Sequence, residues 1–90
     1  MRADRKAVAR LLKTARGQID GILKMIEEDR YCVDVSNQLM ATQSILTKAN
    51  REILKAHISG CVQEAFDSGD EAQREASMQE ILALLDKLGR

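Results

Sequence analysis

"VSNQLMATQSILTKANREILKAH", residues 35–57, is the stretch on which the fold turns. Val35, Leu39, Thr42, Leu46, Ala49 and Ile53, with His57 closing the series, recur at steps of four and three. That is the repeat of a helix seam, not the alternation of a strand. Followed outward until it fades, the seam predicts one helix over about residues 32–66, about 50 Å long at 1.5 Å per residue. Upstream, Val8, Leu11, Leu12, Ala15, Ile19, Ile22, Leu23 and Ile26 mark an amphipathic helix over about 4–28, which gives way at "EEDRYC", 27–32. Downstream, "DSGD" at 67–70 supplies Gly69 for a helix end and Asp70 as the next N-cap. A third helix over about 70–88 then presents Ala72, Ala76, Ile81, Leu82, Leu85 and Leu88.

The reading is a single all-α domain over 1–90, a three-helix subunit with a long central helix. Composition agrees, with no Pro or Trp, one Phe, one Tyr and 31% charged residues. A chain of 90 residues builds only a marginal core, and neither flanking helix can cover a 50 Å neighbour. The uncovered apolar length predicts at least a dimer with the second helix at its interface. The opening "MRADRKAVAR" lacks the apolar run of a signal peptide, and no span of about 18 apolar residues exists, so the expectation is a cytoplasmic protein with no membrane partner.

Chemistry gathers at "HISGC", 57–61, which holds the only histidine and one of the two cysteines. Positions i and i+4 share one helix face, so one ion at about 2.0–2.3 Å from each donor can touch both His57 and Cys61. Cys32 is the remaining soft donor, but on one continuous helix it lies roughly 37 Å from His57. If two second helices pack antiparallel about a two-fold axis, Cys32 of one chain approaches His57 and Cys61 of the other. Two thiolates and one imidazole make a soft, three-coordinate set that favours Cu(I) over structural zinc. Buried apolar cysteines and an ordinary core histidine account for the same spacing, and the residues alone leave both readings open. Nothing in the chain pairs a nucleophile with a base or forms a phosphate-binding glycine loop, so an enzyme is not expected.

"ARGQIDGILKMIEEDRYCVDVSNQLMATQSIL" followed by "HISGC" resembles the CsoR/RcnR family of bacterial metal-sensing repressors. The likeness rests on the Gly17-Gln18 pair, the "EEDRYC-x-D-V" turn and the Cys-x24-His-x3-Cys spacing, and it runs from about Val8 into the third helix. The Cys, His, Cys order resembles the copper-sensing branch, because nickel and cobalt sensors use further histidines, persulfide sensors lack the histidine and formaldehyde sensors lack the second cysteine. The resemblance implies a Cu(I)-responsive repressor that binds operator DNA without metal and leaves it when Cu(I) binds. It implies an antiparallel dimer forming a four-helix bundle, assembled as a dimer of dimers. It assigns the metal ligands to Cys32, His57 and Cys61 and the outer-shell partners to Tyr31 and Glu80, with Glu75 the alternative to Glu80. A thiol-based redox or persulfide-responsive repressor of the same fold, and a cytosolic Cu(I) buffer that does not bind DNA, are the alternatives.

Net charge is zero, but its distribution is not even. Residues 1–24 carry seven basic against two acidic residues, a net +5, whereas 62–90 carry three against seven, a net −4. Arg5, Lys6, Arg10, Lys13 and Arg16 give the first helix a basic face, which Lys48, Arg51 and Lys55 extend from the second. Phosphate contacts are one use of such a face and solvation is the other. Lys13 and Thr14 stand where many relatives carry consecutive arginines, and Arg16 replaces a common acidic residue. No helix-turn-helix is present, so DNA binding follows from the resemblance.

Overall fold

The computed structural model describes residues 1–88 and contains three helices, α1 (Arg5–Glu27), α2 (Cys32–Ser68) and α3 (Glu71–Leu88). Their ends follow from local chemistry. Asp4 caps α1 by accepting from the backbone N–H groups of Lys6 and Ala7 at 3.0 and 3.1 Å. At the other end Asp29 adopts φ 51°, which lets Asp29 N–H reach Ile26 O at 3.1 Å and Arg30 N–H reach Met25 O at 3.0 Å. These two bonds form a Schellman motif, with aspartate in the left-handed position that glycine usually takes. Gly69 at φ 67° ends α2, two residues beyond the limit expected from the seam, and the Asp70 side chain accepts from Ala72 N–H at 2.9 Å to start α3.

α1 lies antiparallel along α2 in heptad register. Val8, Ala15 and Ile22, seven residues apart, are buried on α1, and Thr42 and Ala49, also seven apart, are buried on α2. Small residues at Ala15, Thr42 and Ala49 let the backbones approach closely. Thr42 Oγ1 donates to Gln18 Oε1 at 2.8 Å or to Gln38 O at 3.1 Å, so the buried hydroxyl of this seam is satisfied. The α2 seam is therefore divided. Thr42 and Ala49 face α1, while Leu39 and Leu46 remain 47% and 43% exposed. Leu12, Ile19, Leu23 and Ile26 of α1 are exposed as well.

α3 folds back along the C-terminal part of α2 and shares no contact with α1 among the described residues. The chain measures 59 × 28 × 13 Å, and its radius of gyration is 18.1 Å, against about 12 Å for a compact chain of this length. A thickness of 13 Å is one layer of helices. Domains bury their apolar faces between two layers, and one chain supplies only the first. No described helix is long and apolar enough to cross a membrane.

Candidate metal centre

His57 and Cys61 occupy one face of α2 where α3 crosses it. Cys61 Sγ lies 3.5 Å from His57 Nε2, and Glu80 of α3 meets the same nitrogen through Oε1 at 2.5 Å. An ionised carboxylate only accepts, so Nε2 carries the proton and donates to Glu80. When one ring nitrogen gives its proton to Glu80, the lone pair of the other remains for an ion. His57 and Cys61 are half-buried, Glu80 is exposed, and their ligand atoms all lie within 4.8 Å of one another. The donor set fits a soft ion, with a thiol and an imidazole in reach and free thiols at both cysteines. Glu75 lies elsewhere, accepting from Gln79 Nε2 at 3.0 Å.

Cys32 is the first residue of α2 and is exposed. Because α2 runs unbroken from Cys32 to Ser68, Cys32 lies roughly 37 Å along the helix from His57 and cannot join it within one chain. Tyr31, the N-cap of α2, is exposed beside Cys32 and makes no side-chain cap bond. Arg5, Lys6, Arg10, Lys13 and Arg16 on α1 are all exposed, as are Lys48, Arg51 and Lys55 on α2.

One neighbour of the site was not visible in the pattern of the sequence. Arg2 Nη2 pairs with Glu64 Oε1 at 2.5 Å, bringing together residues 62 apart. The guanidinium lies against Gly60, where an added Cβ would collide with it. Ala3, the next residue, is buried in a cluster with Val8 and Ala49. The hydrogen bond that Arg2 donates to Glu64, then the charge of that carboxylate, hold Arg2 above the usual guanidinium range. Gly60, a glycine inside a helix with no turn to explain it, is the one sign of this contact in the sequence.

A single helical layer that pairs a thiol with an imidazole on its longest helix defines a class of small α-helical metal sensors. The chain belongs to the family described as metal-sensitive transcriptional repressors, whose profile matches residues 4–87; these are regulators and not enzymes. The copper-sensing transcriptional repressor CsoR of Mycobacterium ulcerans is 44% identical over 78 residues, 87% of this chain and 64% of that protein. The copper-sensing repressor CsoR of Bacillus subtilis is 34% identical over 84 residues, 93% of this chain and 80% of that protein. The chain thus spans slightly under two thirds of the mycobacterial relatives it matches. Among solved structures, the Cu(I)-bound copper-sensing repressor CsoR from Geobacillus thermodenitrificans aligns with a TM-score of 0.80 at 29% identity, covering 94% of this chain and 85% of that one. The nickel-responsive regulator InrS aligns with the same TM-score of 0.80 at 28% identity, covering 92% of this chain and 93% of that one. The fold is therefore common to sensors of different metals, and the donor atoms must choose between them.

Proposed function

We propose that this chain is a Cu(I)-responsive transcriptional repressor of the cytoplasm that holds operator DNA when metal-free and releases it on binding Cu(I). One observation carries the reading: His57 and Cys61 stand together on α2 while the only other thiol, Cys32, stands at the far end of the same unbroken helix. In an antiparallel dimer the partner's Cys32 completes the set, and symmetry makes two such sites. The apolar rows at Leu12, Ile19, Leu23, Ile26, Leu39 and Leu46 are the surface a second layer would cover, giving a four-helix bundle that pairs again as a dimer of dimers. Nickel(II) favours more nitrogen and oxygen donors than a chain with one histidine provides.

Cu(I), when bound, supplies a soft acceptor that joins thiolates from two chains. His57 presents one ring nitrogen to the site and donates the other to Glu80, so a change in the ring's orientation reaches α3 directly. Tyr31, adjacent to Cys32, is carried into the same neighbourhood by the partner. Arg5, Lys6, Arg10, Lys13 and Arg16, with Lys48, Arg51 and Lys55, supply the phosphate contacts. Replacing any one of these cations with alanine flattens the log–log salt dependence of DNA affinity by roughly 0.9 for each phosphate it neutralises.

Mixing two defective variants tests the shared site. Cys32→Ala and Cys61→Ala homodimers each lose tight Cu(I) binding. Refolded together, the heterodimer regains one complete site, because intact Cys32 on one chain meets intact His57 and Cys61 on the other. Tight Cu(I) bound at about one ion per heterodimer is the expected result. No recovery in that fraction would sink the antiparallel arrangement, and Cu(I) binding that leaves DNA affinity unchanged would reduce the protein to a copper buffer.

A further inference from the structure

Charge around the candidate centre is unbalanced. Two thiolates, a neutral imidazole and Cu(I) carry a net charge of −1, one unit more negative than the same donors around a divalent ion. Glu80 adds a carboxylate on the α3 side whichever ion is present. A site that prefers the monovalent ion gains from a fixed positive charge close to its thiolates, since that charge stabilises the Cu(I) centre more than the divalent one.

Arg2 brings a positive charge to Gly60, one residue before Cys61, where Glu64 offsets part of it, and the fold holds the side chain at three points. Ala3 anchors the segment in the core cluster, Asp4 caps α1 immediately after it, and Glu64 fixes the guanidinium. The absence of a side chain at Gly60, the residue that precedes Cys61, lets the Arg2 side chain lie against α2 there. Arg51 and Lys55, the cations in the C-terminal half of α2, are exposed and make no ion pair among the described residues, whereas Arg2 is pinned.

We infer that Arg2, seated on Gly60 and held by Glu64, is a specificity-determining residue of the metal centre, favouring Cu(I) over divalent ions by compensating the negative charge of the bis-thiolate complex. The inference rests on the Cu(I) reading given above. Arg2 touches no metal; it acts through charge. Its side chain is 40% exposed, so solvent screening keeps the effect modest.

The test is competition titration of the reduced protein with Cu(I) and, separately, Zn(II), in a non-coordinating salt at low and high ionic strength. Wild type, Arg2→Gln and Arg2→Lys are compared, with thermal unfolding as a check on the fold. Arg2→Gln should weaken Cu(I) binding about three- to fivefold at low ionic strength, weaken Zn(II) binding less, and lose most of that difference at high salt. Arg2→Lys, which keeps the charge, should stay near wild type. Unchanged Cu(I) affinity in Arg2→Gln overturns the inference. So does an equal loss for both metals, or a loss in Arg2→Lys as large as in Arg2→Gln, either of which reduces Arg2 to a structural tether. Wild-type protein that fails to bind Cu(I) tightly defeats the Cu(I) reading itself, before any variant is compared.

Discussion

α1 and α3 both lie against α2, yet they are held in different ways. α1 contributes Val8, Ala15 and Ile22, each no more than 4% exposed, to a heptad seam closed by the Gln18–Thr42 bond. α3 buries no residue at all. It is held by the Gly69 turn, by the Arg74 guanidinium 5.5 Å from the Phe66 ring centroid, and by Glu80 on His57. Packing makes α1–α2 a rigid platform for the basic face. Looser packing, through half-buried Ile81 and Leu84, leaves α3 the more weakly seated helix, with Glu80 on His57 one of its few specific contacts.

The contrast breaks most visibly at the seam. Ile22→Ala removes a side chain that is 4% exposed, and the cavity should lower the stability of the assembled protein by about 2–5 kcal/mol. Chemical denaturation measures this, and a loss below about 1 kcal/mol would mean that the seam is not the platform. Glu80→Gln probes the other side. The half-exposed contact with His57 is worth roughly 0.5 kcal/mol, so amide exchange in α3 should quicken by about twofold while protection along α1 stays unchanged. Equal acceleration in both helices would erase the distinction. The smallest change concerns the hairpin joining α1 to α2. Asp29→Gly relieves a left-handed residue and should raise stability by about 0.5 kcal/mol, seen as a small upward shift of the unfolding midpoint.

The helices were legible because their signals are local. The four-three steps of α2 run along the helix itself, and the Asp70 cap and the Gly69 stop lie within a turn of the ends they specify. What periodicity does not carry is the identity of the partner for each half of a seam. Thr42 and Ala49 face α1 within the chain, whereas Leu39 and Leu46 face outward, and one repeat of apolar residues describes both. The i, i+4 pairing of His57 with Cys61 was readable from spacing, and the resemblance named Glu80 as partner of the ring, with Glu75 the alternative. Only packing of α3 on α2 puts Glu80 on His57 and leaves Glu75 to Gln79. The Arg2–Glu64 contact was not legible, because no periodic rule relates residues 62 apart. The Gly17-Gln18 pair stood out in the sequence without a reason, and its glutamine proves to be the hydrogen-bond partner of Thr42.

A molecule 13 Å thick has little inside of its own. In the dimer proposed above, each copy completes the interior of another, so stability is set by how many copies share a volume and is not a constant of the chain. A newly made copy in dilute surroundings is a hairpin with its leucines in water. An ion that bridges two chains adds its binding free energy to their pairing. The amount of protein and the amount of metal then become exchangeable variables, and a cell that makes less of one can hold the same assembled fraction with more of the other.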